Sequence, residues 1–307
     1  MESKVMIEDS QQQNIPKEQS IGPWKMVWIK FKKKKIALVG VFILVILVLS
    51  SVFAPFLTPY GQEEMNFTNI NAAPSREHLL GTDNLGRDYL TRLLYGGRIS
   101  LMVGVISAFI SVTLGSTIGG IAGFFGGRID NVLMRFAEIV MSFPFLPLAI
   151  TISAVVGADV EPETKMYIVM MIIGGLSWPG LSRIVRGQIL SLKEQEFVLA
   201  AKALGIPNYK IILKHLIPNT IGYIIVSAAL GMAGAIMSES ALSFLGLGVV
   251  PPTPTWGNMV QNARNLHVLR TRPWLWIPPG IAILAAVMSI NLIGDGLRDA
   301  IDPKSNN

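Results

Sequence analysis

Glu196 to Asn219 reads EFVLAAKALGIPNYKIILKHLIPN, and the fold turns on how this stretch is taken. Strongly apolar segments flank it, yet Lys202, Lys210, Lys214 and His215 interrupt it. Its apolar runs fall far short of the ~20 residues that a bilayer requires. The stretch therefore predicts two short helices with a corner between them. Phe197–Leu204 is rich in good helix formers, and Gly205 stands where the chain must turn left-handed after the last turn. Ile206 precedes Pro207, which disfavours helix there, and Pro207 can open a second helix running about Asn208–Leu216. Pro218 marks the return to the membrane. Ala200, Ala201 and Ala203 leave a shallow surface on which another protein can pack closely. A helix lying on the membrane surface is the other reading of these residues.

Half of the chain is hydrophobic (51%), only 15% is charged, and the mean hydropathy is +0.50. A soluble domain carries about a quarter charged residues, so the expectation is an all-α integral membrane protein. The net charge of +6 would suit nucleic acid, but much of it lies in one run, Lys30–Lys35, directly before an apolar stretch. That is the positive-inside pattern, and a nucleic-acid partner is set aside in favour of a lipid bilayer. There is no cysteine, so disulfide and thiolate chemistry are excluded.

Six spans are expected, at about Ile36–Phe56, Ser100–Phe125, Phe136–Val156, Met166–Leu181, Thr220–Met237 and Pro278–Ile293. Residues 1–35 form a cytoplasmic segment whose first part, Met1–Gln19, is polar and without periodicity. The first helix occupies 36–56, an external segment 57–97, the core 98–300 with a loop at 193–218, and a cytoplasmic tail 301–307. Of the 26 Lys and Arg, Arg76, Arg87, Arg92, Arg98, Lys165, Arg264, Arg270 and Arg272 fall outside and the other 18 inside. Both termini are thereby cytoplasmic, with Lys17, Lys193 and Lys304 inside and Asn69, Glu161 and Asn265 outside. Asp159, Glu161 and Glu163 mark a short external loop, and Arg128, Asp130 and Arg135 an internal turn. Pro144 and Pro147 should kink the third span.

The second span carries small residues every fourth position: Ser107, Ser111, Gly115, Gly119, Gly123 and Gly127. That spacing keeps them on one face, where neighbouring backbones can approach. Their partner is open between a second copy, a different chain and this chain's own helices. Glu239 lies near the outer end of the fifth span, where a carboxylate needs a partner or water, so it should face a cavity or a helix and not lipid. Structural hydrogen bonding and a part in gating or passage are both open to it.

No phosphate-cradling G-x-x-x-x-G-K-[ST] run is present, and Gly246-Leu247-Gly248 runs into Pro251 with no third glycine. His78, His215 and His267 belong to different loops, too scattered for a metal cluster. No catalytic, cofactor-binding or metal-binding residues are expected, and the chain reads as no enzyme.

The Ala-Ala pair of the corner, the Gly four residues on and the Pro thirteen beyond it resemble the cytoplasmic "EAA" loop of permease subunits of binding-protein-dependent ABC importers. HLLGTDNLGRDYLTRLLYGGRISL (His78–Leu101), SESALSFLGLGVVPPTPTWGNMV (Ser238–Val260) and NLIGDGLRDAIDP (Asn291–Pro303) resemble the oligopeptide/dipeptide (and nickel) branch, second-permease type. The chain departs from the loop consensus at Leu199, where Glu is usual, and at His215, where Ile is preferred. The resemblance implies six transmembrane helices of the type I importer kind. It implies a coupling helix docked on an ATPase through Glu196, Ala200, Ala201, Gly205 and Pro218. It further implies a homologous second permease, two cytoplasmic ATPases, an external substrate-binding protein and a place in a bacterial cytoplasmic membrane. Short peptides are the implied solute; nickel or another small solute of the same branch is the alternative, and a non-transporting membrane scaffold is the reading from another class.

Overall fold

A computed structural model describes residues 22–157 and 160–301. The expectations for Met1–Gln19, Lys17, Asp159, Pro303, Lys304 and the 302–307 part of the tail lie outside the described residues. Within them the regular structure is helical, apart from one isolated bridge between Thr82 and Asp88, and the longest non-helical segment is 58–88. The main helices are α1 (Pro23–Lys33), α2 (Lys35–Val52), α3 (Tyr89–Phe125), α4 (Gly127–Ser142), α5 (Phe145–Val156), α6 (Pro162–Leu192), α7 (Glu196–Ala203), α8 (Asn208–Ile211), α9 (Ile217–Phe244), α10 (Trp256–Val260) and α11 (Ile277–Ile301). Five stretches among the described residues are long and apolar enough to cross a membrane, or six if the bent pair α4–α5 counts as one.

The pairing of α3 with α6 is the backbone of the bundle, and glycine makes it possible. A Cβ added at Gly115 would stand 2.9 Å from the Leu181 side chain, and one at Gly123 would stand 2.9 Å from the Arg186 carbonyl. At Gly119 the Ser182 carbonyl is nearer still. From the other side Gly174 of α6 admits Ile110, and Ser107 donates to the Met170 carbonyl at 3.1 Å. Ser107, Gly115, Gly119 and Gly123 thus pack on this chain's own helix, Ser111 lines an open recess, and Gly127 stands apart beyond the end of α3. Similar close approaches set α2 on α11 at Gly40 and α9 on α11 at Gly294.

These contacts give the bundle two ends. The lysine-rich end holds the start of α2, the end of α3, the α6–α9 connection and the end of α11. There Lys34 pairs with Asp299 at 2.7 Å, and Phe31, Ala37 and Ala300 pack together. Arg186 grips Asp130 through Nε and Nη2, each at 2.5 Å. The opposite end holds 53–88 and 245–276, where Tyr89, Met259 and Leu275 form a small core.

Helix limits differ from the sequence expectation in instructive places. The third span is not a kinked rod: α4 and α5 are separate and meet at 86°. Phe143 is extended because Pro144 follows it, and Pro147 falls in the first turn of α5, where its missing N–H costs little. The expected turn at Arg128–Arg135 is the start of α4, with Asp130 buried in its first turn. The first helix ends at Val52, the second begins at Tyr89 and the fourth runs on to Leu192. The fifth does not begin beyond Pro218 but runs through it. A π turn, Ile212–Leu216, joins α8 to α9, its ladder shifted so that the Ile217 N–H reaches the Ile212 carbonyl. Widening the ladder there relieves the clash that Pro218 would cause in a regular helix.

Candidate functional site

The corner at the lysine-rich end is built from α7, Gly205, α8 and the π turn. Val198 and Ala201, three apart on α7, turn inward onto Ile189, Ile211 and Leu216. α7 ends in a Schellman closure: the Gly205 N–H bonds the Lys202 carbonyl at 3.0 Å and the Ile206 N–H bonds the Ala201 carbonyl at 3.1 Å. Gly205 has φ of +71°, as its place after the helix predicts. Nothing lies within 4 Å of a Cβ built there, so the backbone angle alone demands glycine. Pro207 is the N-cap of α8, one position earlier than expected. Asn219 donates to the His215 carbonyl at 2.6 Å, satisfying an acceptor beside the distorted turn.

The shallow alanine surface needs correction. Ala201 is only 5% exposed and belongs to the chain's own core. Ala200 and Ala203 face out, together with Phe197, Leu199, Leu204 (80% exposed), Tyr209 and Leu213. Glu196 is exposed in the first turn of α7, where a carboxylate suits the helix dipole. Lys202 lies over the Phe124 ring at 5.1 Å, tying the corner to the end of α3. The corner is therefore a rigid apolar knob rimmed by lysines, held from behind by α3 and α6.

At the opposite end, the two long family-like strings of the sequence meet. Asp88 caps α3, accepting from the Thr91 N–H at 2.8 Å, and its other oxygen pairs with His78 at 2.9 Å. Asp83 holds Arg87 at 2.7 Å and lies 3.6 Å from Arg92. Arg92 also donates to the carbonyls of Gln62 at 3.2 Å and Pro252 at 3.4 Å, crossing between the segments. Tyr89 donates to the Leu275 carbonyl, and Trp256 reaches Ser100 through its N–H and Leu93 through its indole, each at 3.0 Å.

Glu239 sits inside this assembly with no exposed surface. Its Oε1 accepts from Ser243 at 2.6 Å and Thr255 at 2.9 Å. Its Oε2 has no partner among the described residues and lies against Gly257, where a Cβ would stand 3.0 Å away. Thr255 in turn forms a capping box with Asn258, which donates to the carbonyls of Val249 and Thr253. The carboxylate thus faces a neighbouring segment, away from lipid, and locks the 249–258 loop to α9. Thr255, Trp256, Asp83 and Arg92 escaped the sequence reading as site residues. The T-x-x-N spacing at Thr255–Asn258 was a legible cap signal; the ionic pairings, between remote segments, had none.

The family described as binding-protein-dependent transport system inner membrane component matches residues 115–307. A second, the N-terminal transmembrane domain of oligopeptide transport permease C, matches residues 22–74. The dipeptide transport system permease protein DppC of Alkalihalophilus pseudofirmus is 41% identical over 285 residues, covering 93% of this chain and 91% of that protein. The oligopeptide transport system permease protein OppC of Haemophilus influenzae is 42% identical over 283 residues, covering 92% and 88%. DppC of Bacillus subtilis is 41% identical over 297 residues, covering 97% and 91%. With its helical bundle, its corner and nearly its whole length matched in this way, the chain belongs to the family of binding-protein-dependent transport system inner membrane components.

Proposed function

We propose that this chain is one permease subunit of an ATP-driven importer that carries short peptides across a bacterial cytoplasmic membrane. The observation that carries the reading is the corner: a closed, rigid, apolar knob standing free at the lysine-rich end and continuous with α9 through the π turn. Such a knob suits the cleft of an ATPase subunit, and the continuous helix behind it can convey a displacement to the opposite end. Leu199, Leu204 and Ala200 would touch the ATPase; Glu196, Gly205 and Pro218 would set the angle of the knob, and Ala201 would fix α7 to the core behind it. Two ATPases would perform the hydrolysis, so the chain itself catalyses no reaction and needs no cofactor. A homologous second permease would complete the path, and an external binding protein would deliver the peptide to the end that contains 57–97 and 245–276.

The orientation follows the charge. Lys30–Lys35 would lie in the cytoplasm, and the Lys34–Asp299 pair brings the far end of α11 to the same side, so both termini would be cytoplasmic. Glu239, with Thr255, would hold the external loop that closes on α9.

Reconstitution with both ATPases, the second permease and the binding protein tests the reading. ATP-dependent uptake of a labelled tripeptide should require this chain and should fall sharply with Leu204→Glu. A non-transporting scaffold predicts uptake that does not depend on the chain. Single cysteines placed at Lys193 and Asn265 should react from the cytoplasmic and external sides respectively; the reverse pattern would overturn the orientation.

A further inference from the structure

Helix α2 has the outer face that lipid requires: Val39, Phe42, Val45, Ile46 and Leu49 are all exposed and all apolar. The open side of α6 and α9 is mixed: Ile184, Leu230 and Met237 are exposed there too, but small and hydroxyl-bearing residues lie between them. Two recesses run end to end along α9 and share Ser227. One, about 220 Å³, is floored by Ser107, Ser111, Ser177, Ser227 and Ser238. The other, about 600 Å³, passes Gly187, Gln188 and Tyr223 to Arg183 and Arg298 at the lysine-rich end. Ile184, Val226, Leu230 and Ile301 stand in its wall.

Three observations set this furrow apart from a packing groove. A Cβ at Gly231, Gly234 or Gly187 would meet nothing within 4 Å, so glycine there serves no contact inside the chain. It leaves the furrow wide. A hydroxyl with no partner inside the chain is costly in hydrocarbon unless it meets water or another molecule. Five hydroxyls line the first recess, four of them partly open and Ser107 only 1% exposed. Their protons are also partly committed: Ser177 donates to the Ile173 carbonyl at 2.6 Å, Ser238 to Gly234 at 2.8 Å and Ser107 to Met170 at 3.1 Å. Each keeps acceptor lone pairs, while Ser111 and Ser227 make no side-chain hydrogen bond among the described residues and can donate or accept. The floor carries no charge, and the charged groups lining either recess are Arg298 and Arg183 at one end, the latter 3.7 Å from Glu138.

From this we infer that the furrow is the chain's own wall of a water-filled solute path. Its hydroxyl floor serves the main-chain N–H and C=O groups of a peptide whatever the side chains, and Arg183 and Arg298 draw a carboxylate toward the lysine-rich end. The inference rests on the peptide-importer reading and adds which residues meet the solute. Hydroxyls suit that task because each can pair with an amide without the desolvation that a fixed charge would impose.

The absence of native cysteine makes the test direct. Single cysteines replace Ser227 or Gly231 in the complete reconstituted importer, with Val45→Cys as the lipid-facing comparison, and each variant's uptake is recorded before modification. A charged, water-soluble methanethiosulfonate should modify the two furrow positions more than about tenfold faster than Val45→Cys, because the reactive species is a thiolate that apolar surroundings suppress. Transported tripeptide with its binding protein should slow that modification, and modification should block uptake. Furrow cysteines as unreactive as Val45→Cys, with and without ATP, would show a face sealed by lipid or a partner helix and overturn the inference while uptake by the unmodified importer upheld the peptide reading. Fast modification that a transported peptide does not slow would remove the peptide from the furrow. No peptide uptake by the unmodified importer would instead sink the importer reading itself.

Discussion

Two rows of glycine in this bundle do opposite work. On α3, Gly115, Gly119 and Gly123 are pressed against α6 so closely that no side chain fits. On α9, Gly231 and Gly234 face empty space. The same residue is in one row the condition of contact and in the other the means of keeping a surface clear. The polar groups divide in the same way. Glu239 and its neighbour Ser238 are adjacent in sequence, yet the first is sealed among Ser243 and Thr255 and the second lines the open furrow. Residue type alone does not separate a packing device from a working surface; what stands opposite it does.

The comparison breaks most visibly at Gly119. Gly119→Leu should drive a side chain into the Ser182 carbonyl and cost at least about 1–3 kcal/mol through overpacking, so little assembled permease should be recovered. Gly231→Leu should leave yield and thermal unfolding in detergent unchanged while obstructing uptake. If the two variants assembled equally badly, the distinction between the rows would be lost.

Glu239 gives the next largest effect. Glu239→Leu strands the hydroxyls of Ser243 and Thr255 in a buried site, at about 1–3 kcal/mol for each unsatisfied group. Thermal unfolding should shift down clearly, and Glu239→Gln, which keeps an acceptor, should restore most of the loss. Ser238→Ala, one residue away on the open face, should stay within about 0.5 kcal/mol of the parent. Equal shifts for Glu239→Leu and Ser238→Ala would mean that the sealed and open faces are drawn wrongly.

Gly205 sharpens the contrast from a third direction, since it is constrained by angle and not by space. Gly205→Val should cost roughly 1–2 kcal/mol locally, the penalty of a left-handed conformation, and misdirect the knob. The chain should still assemble with its second permease, while the ATPases are lost on purification or hydrolyse without transport. Wild-type uptake with both ATPases retained would refute the corner's role. The smallest effect is expected at Gly231→Ala: one methyl in open space should leave stability within about 0.5 kcal/mol and show only as a slowed uptake of bulky peptides.

Much of this was legible beforehand, for reasons that are local. Whether a run such as Ile36–Val52 enters a membrane depends on its own length and apolarity, and the demand for glycine after α7 depends on one backbone angle. The four-residue spacing on α3 announced a close helix contact. It did not say with what, because spacing describes one surface and a contact needs two. The bend at Ser142–Phe145 was signalled by Pro144 but not its size: a proline forbids the straight path without choosing among the bent ones.

The helical membrane class, the lysine-rich end, the two-part corner with its left-handed glycine, and the strings shared with peptide permeases are all written in the sequence. Each is a property of contiguous residues. Only the tertiary structure decided that Ala201 turns inward while Leu204 stands out, that the glycine ladder meets α6, that α8 runs through a π turn into α9, and that Glu239 closes on Thr255. Those outcomes depend on which remote segment occupies the facing space. Hydrophobic burial and close packing select that partner for the assembled bundle as a whole, so no single stretch of the chain contains the choice.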